Sequence, residues 1–126
     1  MLIIALLGCT MMVEAATFTL EQGDPELGKA VYTQCMGCHS PKTHRTGPKH
    51  CGLIGRQAGT AEGYVYSKAM QERNIVWTAQ TLERFLYSPL GFVPGTRMGI
   101  AGIKGDQKRR DLIAYLIAMN GQQECR

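Results

Sequence analysis

The stretch Cys35-Met36-Gly37-Cys38-His39 decides how this chain is read. C-x-x-C-H is the attachment pattern of c-type haem. Two cysteines three apart on a helical turn can each reach one vinyl group of a porphyrin and form a thioether. The histidine that follows lies beneath the iron and offers a ring nitrogen as axial ligand. Two other uses of C-x-x-C compete. A redox dithiol wants a βαβ context, and no segment here alternates like a strand. A closed zinc site needs a second ligand pair at finger-like spacing. Cys51 with His50 or His44 is the only material for one, and no paired pattern joins them. One covalent haem c is therefore the expected cofactor, attached through Cys35 and Cys38, with His39 on the iron.

The sixth ligand separates a carrier from a catalyst. Pro94-Gly95-Thr96-Arg97-Met98-Gly99 is a loop that can cover the open face. Pro94 fixes φ and Gly95 permits a tight bend. Most methionines in a small protein are packing. Met70 and Met119 fall at helical positions and read that way, and Met36 cannot fold back to the opposite face. Met98 lies between glycines in a loop, so it is the candidate second axial ligand. A thioether opposite an imidazole raises the iron potential and leaves no open position for substrate.

The rest of the chain reads as helices joined by long loops. Asp24-Pro25-Glu26 is a helix start, with Asp as N-cap and Pro at the first helical position. Leu27, Val31 and Tyr32 give this helix an apolar side, and it is expected to run into Cys35. Ser40 to Gly63 reads as loop. Ser67 caps a short helix through Gln71. Thr78 caps another, with Trp77 and Leu82 placed as a hydrophobic staple, and Pro89 stops it at Ser88. Pro89 to Lys104 reads as loop. Asp106 starts the last helix and Gly121 ends it, with Leu112, Ile113, Leu116 and Met119 as its buried stripe. The expected class is all-α, with loops that need something inside to pack against.

A length of 126 residues allows one small domain. With 44% hydrophobic and 19% charged residues, a disordered polar chain is excluded. The formal charge of +4 can steer acidic partners, but it is too small and scattered to indicate nucleic acid. Leu2 to Val13 is an apolar run of signal-core length, and Val13-Glu14-Ala15 supplies small residues where a signal peptidase reads. Residues 1–15 are therefore expected to be a cleaved signal peptide and 16–126 the domain. Export places the domain in an oxidising compartment, the periplasm. The cleavable signal argues against the mitochondrial intermembrane space.

Taken together these residues resemble the class I cytochromes c, in particular the group of mitochondrial cytochrome c and bacterial cytochrome c2. The similarity runs from Gly23 to about Met119. It rests on Gly23-Asp24, Gly28-Lys29, Tyr32, the C-x-x-C-H, Thr46-Gly47-Pro48, Gly52-Leu53-Ile54-Gly55-Arg56, Gly63 to Ser67, Trp77, Pro94 to Met98, and Leu112 to Leu116. The resemblance implies a small all-α globule around one haem, with the first and last helices crossing at Gly28. It implies that the Pro48 carbonyl orients His39. It implies that Arg56, Tyr66, Trp77 and Thr96 surround a haem propionate. Departures are Phe85 in place of a common tyrosine, Met70 in place of a polar residue, Arg97 in place of a lysine, and His50-Cys51 before Gly52.

With Cys9 in the signal and Cys35 and Cys38 on haem, Cys51 and Cys125 remain. In an oxidising compartment this pair is expected to form a disulfide, against two free thiols or an intermolecular bond. The implied function is a soluble, monomeric, non-enzymatic one-electron carrier. Its partners would be redox proteins: a membrane cytochrome complex, an oxidase, a reaction centre or a dehydrogenase, and not nucleic acid. Lys42, Lys49, Arg97 and Lys104 fall in segments expected to rim the haem edge. The alternatives are a dedicated electron-accepting subunit of one periplasmic dehydrogenase, or a catalytic or gas-binding haem with Met98 unbound.

Overall fold

The computed structural model describes residues 23–126. The expected signal peptide, with Cys9, and the first residues of the expected domain lie outside this range. Helix α1 spans Pro25–Tyr32, and the Asp24 carboxylate accepts from the backbone N–H groups of Glu26 and Leu27. Three short helices follow: α2 at Lys68–Gln71, α3 at Ala79–Tyr87 and α4 at Pro89–Phe92. Helix α5 runs Asp106–Gly121. Single 3-10 turns cover Cys35–Gly37 and Gln123–Cys125. Among the described residues the one β-type contact is an isolated bridge between Gln57 and Val76, and no helix is long and apolar enough to cross a membrane.

Two expectations need correction. The first helix stops at Tyr32 and does not reach Cys35. The Thr33 hydroxyl turns back and donates to the Ala30 carbonyl at 2.7 Å, a local bond that competes with further helix. The segment from Pro89 is not all loop. Ser88 accepts from the Gly91 N–H through its hydroxyl, and Pro89 stands at the first helical position, so one turn forms through Phe92.

The core forms where α1 crosses α5. Gly28 is buried there, and a Cβ on it would collide with the Asp111 carbonyl and lie 2.8 Å from the Tyr115 Cβ. Only glycine lets the two backbones approach so closely. The Asp111 carboxylate also accepts from the Asp24 N–H at 2.8 Å, so α5 helps cap α1. The stripe Leu112, Ile113, Leu116 and Met119 is buried, together with Leu82, Phe85 and Leu86 of α3. Thr78 caps α3 through a reciprocal pair with Thr81, and both staple residues, Trp77 and Leu82, are buried. Arg109 is the charged anchor of α5. Its guanidinium donates to Glu83 at 2.6 Å, to Asp106 at 2.7 Å and to the carbonyls of Ile103 and Lys104. These bonds tie α5, α3 and the loop before α5 to one another.

Candidate haem site

The C-x-x-C-H segment is wound into one compact turn. The Cys35 carbonyl accepts from both the Cys38 N–H, at 3.1 Å, and the His39 N–H, at 2.9 Å. Neither Cys35 nor Cys38 is in a disulfide; the first is half-buried against the core and the second exposed. Burial pushes the Cys35 thiol up to about 11, so it is not a reactive thiolate of the dithiol type. No group of three or more His, Cys, Asp or Glu among the described residues is placed to hold a metal ion, so the zinc alternative finds no donor set.

His39 is buried, and its Nδ1 lies 2.7 Å from the Pro48 carbonyl oxygen. A carbonyl can only accept, so Nδ1 carries the proton and Nε2 keeps a lone pair. Burial holds the imidazole pKa below its ordinary value, opposed by the bond to Pro48. The ring is thus presented neutral and oriented, in the form a metal requires. Gly47 makes this possible. A Cβ there would lie 2.6 Å from both ring nitrogens of His39. Gly47 also donates to the Cys38 carbonyl at 2.7 Å, closing the loop back onto the motif.

Loop 94–99 holds Met98 half-buried against the core. Gly95 adopts φ +91°, a region open to glycine. The Thr96 N–H donates to the Val93 carbonyl at 3.0 Å, and the buried Thr96 hydroxyl accepts from the Met98 N–H at 3.2 Å. Arg97 is fastened to the Val65 carbonyl at 3.0 Å.

Arg56, Tyr66 and Trp77 belong to one neighbourhood. Arg56 donates to the carbonyls of Cys51 and Lys49, and its guanidinium is hydrogen-bonded to the Tyr66 side chain. The Trp77 N–H donates to the Arg56 carbonyl at 2.9 Å, while the buried indole packs on Phe85 with ring centres 5.0 Å apart. Arg56 Nε is buried without a hydrogen-bond partner. An unpaired buried donor on a cation is costly. A porphyrin propionate is the kind of acceptor it lacks, so the residues present fit a haem.

Several features were not readable beforehand. The His50 ring stacks on His39 at 4.2 Å between centroids with 22° between planes. Burial pushes His50 down to about 3, and the nearby Arg56 guanidinium adds to the shift. Its Nδ1 lies 3.0 Å from the Tyr32 hydroxyl. Burial pushes Tyr32 up to about 12. Two histidines eleven residues apart give no periodic signal, and the pairing depends on the loop path. The pair expected from the sequence, Cys51 and Cys125, is brought together, with Cα atoms 4.9 Å apart across 74 residues of sequence. Of the four expected rim cations, Lys42 and Arg97 are exposed and Lys49 is half-buried. Lys104 is exposed as well, and it donates to the Tyr87 carbonyl at 2.6 Å and lies over that ring.

A helical shell, a wound C-x-x-C-H and an oriented imidazole together define a protein built around covalently attached haem. The family model for cytochrome c matches residues 25–120. The chain is 40% identical over 110 residues to cytochrome c type-1 of Ascaris suum, covering 85% of this chain and 94% of that one. It is 35% identical over 122 residues to cytochrome c2 of Rhodomicrobium vannielii, covering 94% and 96%. Cytochrome cH from Methylobacterium extorquens superposes with a TM-score of 0.74 at 35% identity, over 76% of this chain and 99% of that one. The chain belongs to the cytochrome c family: it binds one covalent c-type haem and serves as an electron carrier.

Proposed function

We propose that the chain moves one electron at a time between partner proteins, using an iron held between Nε2 of His39 and the thioether of Met98. The observation that carries this reading is the Nδ1 bond from His39 to the Pro48 carbonyl, which leaves Nε2 as the free donor beside two unbridged cysteines. When bound, the haem supplies the Fe(III)/Fe(II) couple. The chain supplies the rest. Cys35 and Cys38 tether the porphyrin as thioethers. Pro48 and Gly47 hold the His39 plane, so little reorganises on oxidation. Met98 would be the second residue to hold the iron and would keep substrate off it, the property of a carrier and not of an enzyme. Arg56, Tyr66, Trp77 and Thr96 receive one propionate and offset the cost of burying it.

Lys42, Lys49, Arg97 and Lys104 form the cationic rim that steers acidic partner surfaces. Those partners are redox proteins such as a membrane cytochrome complex, an oxidase, a reaction centre or a dehydrogenase, met by a monomer in the periplasm. The relatives that are bacterial, cytochrome c2 and cytochrome cH, support that location. Cys51 and Cys125 form a disulfide there, a reading supported by a Cα separation within the bridging range. The test is direct. Intact mass should show one haem added to the processed chain, and the ferric protein should carry the weak red absorption band of iron–sulfur ligation. Met98→Ala should abolish that band and admit carbon monoxide to the reduced protein. A parent that lacks the band and binds carbon monoxide readily would instead be a catalytic or gas-binding haem protein.

A further inference from the structure

The axial histidine is not backed by an inert wall. One face of its ring is covered by the His50 imidazole, nearly parallel and at 4.2 Å. His50 in turn shares a hydrogen bond with the Tyr32 hydroxyl. Tyr32 is 2% exposed and its ring packs on Tyr115 of α5 with centres 5.1 Å apart. A continuous line of rings therefore runs from the helix crossing to His39. His50 is also fixed through the backbone. Its N–H donates to the Ser40 carbonyl at 3.1 Å, and the next residue, Cys51, donates to the Pro41 carbonyl at 2.8 Å. Both anchors lie within two residues of His39, so the loop cannot move the His50 ring without moving the segment that carries the ligand.

We propose that Tyr32 and His50 act together as positioning residues for the axial imidazole, with the Tyr32 hydroxyl locking the His50 ring flat against His39 and so setting the iron's preference between its two oxidation states. The ferric site carries one more positive charge than the ferrous site. A polar, polarisable ring stacked on the axial ligand favours the more charged state, and an apolar replacement favours the less charged one. Loss of the hydrogen bond frees the His50 ring to tilt and weakens this effect. The proposal rests on the reading that His39 ligates the iron.

The test compares the loaded parent with Tyr32→Phe, His50→Phe and the double variant. Tyr32→Phe keeps the ring and removes only the hydroxyl. His50→Phe keeps a stacked ring and removes the nitrogen that shares the bond. Both single variants should raise the midpoint potential. The Fe(III)/Fe(II) equilibrium should shift by roughly two- to tenfold, the range one hydrogen bond of ordinary net strength commands. The double variant should shift no further than the larger single, because both remove the same bond. The paramagnetically shifted proton resonances of the His39 ring should move in all three, while the iron–sulfur band stays. If the variants fold and load but leave both the potential and those resonances unmoved, the pair is only packing and the proposal falls. Additive shifts would equally sink it, since they would mean two independent effects. Should Tyr32→Phe fail to load, His50→Phe still decides through potential and resonances. If the parent shows no His39 resonance of an iron ligand, the ligand assignment itself fails, and the proposal with it.

Discussion

Gly28→Ala is the sharpest probe of the fold. A methyl at this position would lie 2.5 Å from the Asp111 carbonyl carbon and 2.8 Å from the Tyr115 Cβ. Ordinary contact begins near 3.4 Å and the Asp111 carbonyl oxygen is closer still than its carbon, so α5 has to retreat by more than 0.9 Å at the crossing. The obstacle is backbone, and no rotamer change relieves it. A gap of half to one ångström forfeits about a quarter to a half of the dispersion energy of each contact it opens. Leu112 and Leu116 lie along that same helix. Overpacking of this kind costs about 3 kcal/mol at the upper end of its usual range. Against it, alanine gains about 1 kcal/mol over glycine in a helix interior. The net loss should be about 2 kcal/mol. At roughly 4–8 °C per kcal/mol for a domain of this size, the melting temperature should fall by about 8–16 °C. Guanidinium unfolding of the loaded protein, followed by the fluorescence of the single tryptophan, Trp77, measures it. Gly121→Ala is the control. A Cβ there meets nothing within 4 Å, so its stability should stay within about 0.5 kcal/mol of the parent. A Gly28→Ala protein as stable as the parent would refute the close crossing.

Further outcomes follow from buried charges and cross-links. Arg109→Met should destabilise by about 3 kcal/mol, because it strands Glu83, already half-buried with one oxygen unpartnered; a loss below about 1 kcal/mol in the same titration would show the cluster to be surface-like. Tyr32 has its folded pKa raised from 10.0 to about 12 by burial. Its contribution to stability is therefore complete below pH 10 and lost as the pH rises towards 12. Unfolding free energy measured across that window should fall less in Tyr32→Phe than in the parent, and parallel profiles would contradict the assignment. Replacing both Cys51 and Cys125 with serine should cost about 4 kcal/mol in the chain-entropy model for a closed loop of this length, read from the shift in unfolding midpoint. A thiol count on the unfolded, non-reduced parent gives the companion check: two free thiols would exclude the bridge.

Local chemistry made much of this fold legible. Asp24 with Pro25, Ser67, and Thr78 with a following proline at position 89 each fix a helix boundary within a few residues, and the structure has those boundaries. Thr33 was opaque, because a back-bond to Ala30 ends α1 where the apolar pattern still continues. The one-turn helix from Pro89 is too short to have a period. The motif at Cys35–His39 announces its cofactor through spacing alone. Its supports do not. The Arg109 cluster, the orphaned nitrogen of Arg56 and the stacked pair of histidines join segments far apart in the chain, and no local rule connects them.

The approach of Cys125 to Cys51 has a practical consequence. Arg126 directly follows Cys125, whose Cα lies 4.9 Å from that of Cys51, the residue after His50. Any label or electrode tether attached at the turn Gln123–Cys125 therefore sits beside the loop that carries His50. A molecule anchored that way would be held by the same corner that stacks His50 on His39, and immobilised preparations would report that corner under mechanical load.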